Sequence, residues 1–170
     1  MENFCKTGKL EHKNGYDVCR GEGERGELRY DLTRILHGNQ TSGHYHLGNE
    51  PELYEVLSGQ AMLLTQSRDT QKTYLIEAKA GEKIVIPPNF SMRTINPSIE
   101  NELIISNWIN NKVKNDYNAF KNLQESRQAG QEPIKLTPKE LPRELENLDF
   151  LSHPEKYKDI LTIEKLYQKT

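Results

Sequence analysis

Residues 38–59, GNQTSGHYHLGNEPELYEVLSG, have the spacing G-x5-H-x-H-x5-E-x6-G. Side chains alternate between the two faces of a β-strand, so His44 and His46 should point to one side and Tyr45 to the other. The connection that follows is rich in turn residues, which lets the strand beginning at Glu52 fold back beside the first. We therefore expect two imidazoles and one carboxylate to converge on a single point.

Such a set of donors is typical of a metal site. Neutral imidazoles and a carboxylate suit borderline divalent ions, and iron, manganese, zinc, nickel and cobalt all remain candidates. An isolated H-x-H pair arises by chance in many chains, but the glycine frame and the strand context favour a site built on His44, His46 and Glu52. The alternative is a vestigial site that no longer holds an ion.

Outward from this stretch, residues 27–109 alternate short strand-like runs with turn signals. That spacing predicts an all-β sandwich or barrel. The predicted strands are LRYDLTRIL, ELYEVLSGQAMLLTQ, KTYLIEA, EKIVIPP, SMRTIN and ELIISNWI.

Beyond residue 110 the apolar residues thin out and the pattern becomes helical, as in NDYNAFKNLQESRQ. Thr137–Glu140 and Ser152–Glu155 each offer a capping residue, a proline and a glutamate, a combination that predicts a helix start. Apolar residues in the last segment recur near a helical period, which predicts a face packed on the barrel. We therefore expect a β-barrel domain over 1–112 and a helical C-terminal extension of two or three helices over 113–170.

The charge balance excludes some partners. The chain carries 23 basic and 25 acidic residues and has no basic stripe that could follow a row of phosphates, so nucleic acid is not an expected partner. Neither a signal-peptide core nor a stretch of membrane-spanning length is evident in the sequence. We expect a cytoplasmic protein that does not contact a membrane.

The cysteine content is low: Cys5 and Cys19 are the two cysteines of the chain. No second pair is present to complete a thiolate metal site. In the cytoplasm we expect two free, reduced thiols, and a Cys5–Cys19 disulfide only if the chain is exported.

Residues 38–59 resemble the first motif of the cupins, and GEKIVIPPNFSMRTIN, residues 81–96, resembles the second. More narrowly, GHYH, ELYEVLSG, MLLTQ, IVIPP and RTIN together resemble the cupin-type phosphoglucose isomerases, which interconvert glucose 6-phosphate and fructose 6-phosphate. The resemblance covers residues 30–117 approximately. It implies a cupin barrel, a double-stranded β-helix or jelly roll, with a bound divalent metal ion and a sugar phosphate as substrate.

The resemblance assigns the first-motif metal ligands to His44, His46 and Glu52, with one residue fewer between His46 and Glu52 than the family pattern has, and it also exposes two departures at histidine positions. The family's fourth ligand is a histidine in the second motif, and Met92 occupies that place here. A thioether is a soft, weak donor, so Met92 should weaken the binding of iron, manganese or zinc. A further family histidine lies two residues before a tyrosine, where this chain has Asn115 before Tyr117.

The resemblance leaves Glu52 and Tyr117 as the catalytic candidates for aldose–ketose isomerisation, which needs a proton shuttle and stabilisation of an enediolate-like transition state. It also implies substrate contacts, which fall on Thr33, Thr41, Gly43 and Tyr54. Strand alternation points Arg93 out of the barrel, and we expect it to be a surface or dimer-contact residue. His37 has no matching role in the family and is expected to be structural.

Three hypotheses follow for function. The first is a metal-dependent sugar-phosphate isomerase resembling glucose-6-phosphate isomerase. The second is a catalytically impaired cupin that binds or senses a sugar phosphate or a related metabolite. The third is a metal-dependent oxygenase or another cupin reaction, since one fold hosts many chemistries. Because open barrel strands have edges that must be covered, we also expect a homodimer.

Overall fold

The computed structural model describes residues 3–48, 50–120 and 132–170, and strands dominate the part of the chain that it describes. Its strands are β1 (Lys9–His12), β2 (Tyr16–Arg25), β3 (Leu28–Ile35), β4 (Tyr45–His46), β5 (Glu52–Ser58), β6 (Gln60–Gln66), β7 (Thr73–Lys79), β8 (Lys83–Ile86), β9 (Arg93–Ile95), β10 (Leu103–Asn110), β11 (Asn115–Asp116), β12 (Ile134–Pro138) and β13 (Tyr167–Lys169).

These strands form two large sheets and a small one. The first sheet has six strands in the order β1-β2-β3-β10-β5-β8, and the second has five in the order β13-β12-β7-β6-β9. The two-residue strands β4 and β11 pair with each other. All of the pairs are antiparallel except β12 with β7, which is parallel. The core draws apolar side chains from both large sheets, for example Ile35 and Val56 from the first and Leu63 and Ile76 from the second.

The prediction of an all-β fold is confirmed, and every predicted strand run between residues 27 and 109 contains an observed strand. Strand β6 shows why: Ala61, Leu63 and Thr65 are buried on one face, while Met62 and Leu64 between them are partly exposed. Gly59 makes the turn from β5 into β6 with φ at +90°, a conformation that glycine adopts without strain.

The expected helical C-terminal extension is not confirmed. Instead of starting a helix at Thr137, the chain forms β12, where Leu136 pairs with Ile76 of β7. The helices described after residue 132 are three short 3-10 helices, Arg143–Leu145, Asp149–Leu151 and Pro154–Tyr157, and one short α-helix, Ile163–Leu166. Strand pairing and burial of apolar side chains such as Phe150 override the local helical signals here.

Residues 117–120 are helical, and the rest of the helix predicted from NDYNAFKNLQESRQ lies outside the described residues. The division of the chain at residue 112 remains a prediction. Strands β12 and β13, which lie after it, belong to the second large sheet.

The prediction of free thiols is wrong, because Cys5 and Cys19 form a disulfide. The segment before β1 is held against β2 by Glu22, whose carboxylate accepts hydrogen bonds from the backbone N–H groups of Lys6, Thr7 and Gly8. This places Cys5 beside Cys19, with both side chains buried. Disulfides are typical of oxidising compartments, so the pairing does not support the predicted cytoplasmic location.

Within the described parts of the chain, no helix combines the length and the apolar character needed to cross a membrane.

Candidate metal centre and cavity

The two motifs meet across a pair of backbone hydrogen bonds. His44 and Met92 form an antiparallel bridge, in which each backbone N–H donates to the other residue's carbonyl oxygen, at 3.1 and 3.0 Å. Directly opposed residues in such a bridge place their side chains on the same side of the sheet. The motif strands therefore bring Met92 next to the first of the two histidines.

His44, His46 and Glu52 converge as their spacing suggests. Their donor atoms all lie within 4.8 Å of one another, and the two imidazole rings are stacked with centroids 5.6 Å apart. Tyr45, between the two histidines, points elsewhere and donates from its hydroxyl to the carbonyl oxygen of Gln66. Strand alternation and the return of the chain at Glu52 thus produce the cluster.

Two buried polar atoms of the cluster face each other. His46 Nε2 lies 3.2 Å from Glu52 Oε2, and neither atom has a hydrogen-bond partner of acceptable geometry. Buried polar groups are almost always satisfied, and an exception calls for an explanation such as an ion. A divalent cation between the two atoms would satisfy both, so the residues fit a metal.

The outer contacts of the cluster orient its donors. His46 Nδ1 lies 2.7 Å from the carbonyl oxygen of Glu50, which places the ring proton on Nδ1 and leaves Nε2 facing Glu52. The side-chain amide of Asn107, on β10, donates to Glu52 Oε1 at 2.7 Å. Such outer partners fix the tautomer and the carboxylate rotamer that a metal requires.

Burial and charge set the protonation of the two histidines in opposite directions. Burial lowers the pKa of His44 to about 4, so its imidazole is neutral and can act as a donor near pH 7. Burial also acts to lower the pKa of His46, but the close contact with the Glu52 carboxylate and the negative charge of that group outweigh burial and raise that pKa. A proton and a metal ion compete for the same ligand atoms. His46 and Glu52 together favour either of these two cations.

The sulfur of Met92 has a hydrogen-bond donor of its own. Its side chain is 2% exposed, and the Tyr54 hydroxyl donates to its sulfur at 3.0 Å. Burial, and next the negative charge of Glu52, raise the pKa of Tyr54 well above its ordinary value, so this phenol stays protonated and keeps donating. The sulfur at the family's fourth ligand position is thus engaged in a hydrogen bond within the barrel.

An open cavity of about 270 Å³ lies over the cluster. Three of the four predicted substrate-contact residues, Thr33, Thr41 and Tyr54, line it, together with His44 and Glu52. The fourth, Gly43, is not among the lining residues. A Cβ at Gly43 would overlap the ring of Phe120, so glycine is needed there for the close approach of that ring.

Tyr117 lies at the edge of this cavity and is half exposed. Its ring is 5.6 Å from that of His44, and its hydroxyl accepts a hydrogen bond from the Asn115 side-chain amide at 3.2 Å. Asn115 itself pairs with His46 in the β4–β11 ladder and also lines the cavity. The second position where the family has a histidine therefore faces the same space as the metal cluster.

The remaining predicted residues lie away from the cluster. His37 is exposed. Arg93 is partly exposed, and its guanidinium lies over the ring of Phe120 at 5.0 Å. Neither residue lines the cavity over the cluster.

Sequence reasoning missed several polar residues of the cavity wall, among them Arg20, Arg29, Asp31 and Asn107. The signal that could have found them is strand alternation. Asn107 lies between Ile105 and Ile109 at an inward-facing position, and all three line the cavity. A polar residue in an inward-facing series of apolar ones marks either a satisfied polar pair or a site.

Comparisons with known proteins agree with this geometry. The model of the family described as Glucose-6-phosphate isomerase (GPI) matches residues 8–129, which is more than half of the chain. A search of curated protein sequences gave no match.

Solved structures share the fold at low sequence identity. Oxalate oxidase in complex with the substrate analogue glycolate has a TM-score of 0.56 at 18% identity, covering 66% of this chain and 59% of the other. The capsular polysaccharide assembling protein CapF from Staphylococcus aureus has a TM-score of 0.55 at 13% identity, with coverages of 64% and 30%. Peruvianin-I, a cysteine peptidase from Thevetia peruviana latex, has a TM-score of 0.53 at 16% identity, with coverages of 61% and 66%.

The chain thus spans at most 66% of the length of these structures. At such identities the likeness shows the fold alone, and that fold is the cupin barrel. Together with the family match over residues 8–129, it establishes that this chain is a cupin of the glucose-6-phosphate isomerase (GPI) family.

Proposed function

We propose that the protein is a metal-dependent isomerase that interconverts the aldose and ketose forms of a sugar phosphate, with glucose 6-phosphate and fructose 6-phosphate as the first pair to test. The observation that carries the proposal is the pair of unsatisfied buried atoms, His46 Nε2 and Glu52 Oε2, at an open cavity in a barrel of this family.

His44, His46 and Glu52 would hold the ion, which we expect to be iron, manganese, zinc, nickel or cobalt. When bound, a divalent ion polarises carbonyl and hydroxyl oxygens as a Lewis acid. Three protein ligands leave open positions, as catalytic metal sites usually do.

The protein's own groups supply the proton transfers. Glu52 is the candidate proton carrier, because a carboxylate at the cavity can accept a proton from one carbon and return it to the next. Asn107 holds Glu52 Oε1 and so fixes the direction in which Oε2 points. The Tyr117 hydroxyl accepts a hydrogen bond from Asn115, which leaves its own proton free to be donated to a substrate oxygen.

The cavity wall would bind and orient the sugar. Thr33 and Thr41 present hydroxyl groups, and Thr41 Oγ1 already accepts a hydrogen bond from the backbone N–H of Thr94 at 3.0 Å. That bond fixes the Thr41 side chain and leaves its hydroxyl proton available to a ligand. Fixed donors reduce the ordering cost of binding.

The test is an assay of the purified protein with fructose 6-phosphate after separate loading with each of the five metals. We expect glucose 6-phosphate to form with at least one metal and the activity to disappear in His44→Ala. Absence of isomerisation in a preparation shown to contain stoichiometric metal would overturn the proposal.

A second candidate function is a catalytically impaired cupin that binds a sugar phosphate without converting it. Two observations favour it: Met92 and Asn115 stand where the family has histidines, and both face the cluster. Thermal stabilisation by fructose 6-phosphate in the absence of any turnover would support this function over the first.

A homodimer remains part of the proposal. Sedimentation equilibrium at several protein concentrations would establish the mass, and a monomer throughout would contradict the dimer.

A further inference from the structure

The wall of the cavity formed by β2 and β3 carries two arginines and a buried aspartate. Arg20 on β2, with Arg29 and Asp31 on β3, lines the same cavity as His44 and Glu52. Arg29, Asp31 and Thr33 alternate along β3, so they share its inward face. Arg20 and Arg29 are the only arginine or lysine side chains among the described residues that line this cavity.

An irregularity in β2 positions Arg20. The pairing of β2 with β3 shifts between Cys19 and Gly23, so residues 20–22 form a bulge opposite Asp31. The backbone N–H of Gly21 donates to Asp31 Oδ1 at 2.8 Å, which anchors the bulge to the aspartate. Bulges commonly redirect a side chain next to an active site.

Asp31 contacts both guanidinium groups but does not occupy all of the N–H donors of either. Its side chain is 1% exposed, and it accepts from Arg29 Nε at 2.9 and 3.0 Å and from Arg20 Nη1 at 3.5 Å. Arg20 also reaches Glu11 with its Nε, again at 3.5 Å. Arg29 uses only Nε in the contacts described, so the two terminal amino groups of its fork are not engaged there.

We propose that Arg20 and Arg29 bind the phosphoryl group of the substrate and thereby determine its specificity for phosphorylated sugars. Arginine forks match the geometry of phosphate oxygens and form charge-assisted hydrogen bonds with them. Asp31 is the positioning residue, because it holds both guanidinium groups on the cavity wall. The inference rests on the proposed function for the identity of the ligand as a sugar phosphate.

A purely structural role for the three residues makes a different prediction. Buried Asp31 needs cationic partners, so loss of either arginine would lower stability in any case. A structural role would not change the preference for a phosphorylated ligand over the same ligand without phosphate. The experiment therefore compares two ligands rather than one affinity.

The ligands are glucitol 6-phosphate and glucitol, which lack the carbonyl group needed for isomerisation and so report binding alone. Isothermal titration of the metal-loaded protein is carried out on wild type, Arg20→Gln, Arg29→Gln and the double variant. Arg25→Gln is the matched control, since Arg25 is an exposed residue at the far end of the same strand β2 and does not line the cavity.

We expect wild type to prefer glucitol 6-phosphate and each cavity variant to bind it roughly tenfold to a hundredfold more weakly, with glucitol binding unchanged. Arg25→Gln should behave as wild type. A preference for the phosphorylated ligand that survives in the double variant, or that is absent from wild type, overturns the inference. If a glutamine variant does not fold, Arg20→Lys and Arg29→Lys keep the charge, and the loss of the fork should still weaken phosphate binding.

Isomerase assays on the same proteins separate this inference from the proposed function. Arginine-dependent binding of glucitol 6-phosphate without isomerisation of fructose 6-phosphate would overturn the isomerase proposal and support the phosphoryl site. Active isomerisation with an unchanged KM for fructose 6-phosphate in the double variant would overturn the phosphoryl site and leave the isomerase intact.

Discussion

The two sides of the candidate metal centre differ in how many metal-donor side chains they carry. The first-motif side has two imidazoles and a carboxylate, each oriented by an outer contact or by burial. The opposite side has Met92, whose sulfur accepts from Tyr54, and Asn115, whose amide donates to Tyr117. The difference teaches that the first motif supplies all three donors of the candidate metal site, while the opposite side supplies neutral packing and hydrogen bonds.

The largest effect on metal affinity should follow from removing a ligand on the first-motif side. His46→Ala removes a donor and leaves Glu52 Oε2 facing an empty space, so the affinity for manganese or zinc should fall by more than roughly 100-fold, since even outer partners contribute roughly 10- to 100-fold. Competition with a chelating indicator measures the change. His37→Ala, at an exposed position, is the control and should leave the affinity unaltered.

A smaller loss should follow from removing an outer contact on the same side. Asn107→Leu keeps the volume and deletes the amide that donates to Glu52 Oε1, so metal affinity should fall roughly 10- to 100-fold. The same indicator assay applies. An affinity equal to that of wild type would mean that Glu52 is oriented without Asn107.

The opposite side should gain a ligand when the family's histidine is restored. Met92→His places an imidazole across from His44, and the affinity for manganese or zinc should rise by about tenfold. Met62→His is the matched control, because Met62 lies on the other face of β6 from buried Leu63. An unchanged affinity in Met92→His would show that position 92 cannot reach the ion.

The segment before β1 carries no ligand of the cluster, so changes in it should leave metal affinity unaltered. The stability of this segment should instead depend on pH. Backbone hydrogen bonds from Thr7 and Gly8 lower the pKa of Glu22. A carboxyl group with a lowered pKa contributes stability above its ordinary pKa of about 4.5, and that contribution is lost as the pH falls through the lowered value.

Hydrogen exchange of the Lys6, Thr7 and Gly8 amides should therefore accelerate below about pH 4.5, after correction for the intrinsic rate. In Glu22→Gln their protection should be low and nearly independent of pH. Equal protection in the variant and in wild type would contradict this role for the carboxylate.

Local spacing made the first-motif side predictable from sequence. His44, His46 and Glu52 lie within nine residues of one another, so their spacing indicated a cluster. The strands β4 and β5 are not hydrogen-bonded to each other, because β4 pairs with β11 and β5 with β10 and β8. The strands between residues 27 and 109 were equally readable, because apolar alternation and turn residues are local signals.

Long-range contacts explain what the sequence did not reveal. Arg20 reaches the cavity because of a bulge set by Asp31, and Leu136 joins a strand because Ile76 lies beside it in space. Cys5 lies beside Cys19 in a segment that Glu22 of β2 holds through backbone hydrogen bonds. None of these pairings follows from a local pattern.

X-ray absorption spectroscopy of the zinc-loaded protein tests the central claim most directly, because nitrogen, oxygen and sulfur ligands scatter differently. We expect one zinc per chain with nitrogen and oxygen ligands at about 2.0–2.2 Å and no sulfur in the first shell. A sulfur ligand, from Met92 or from the cysteines, or the absence of bound zinc, would contradict a centre held by His44, His46 and Glu52.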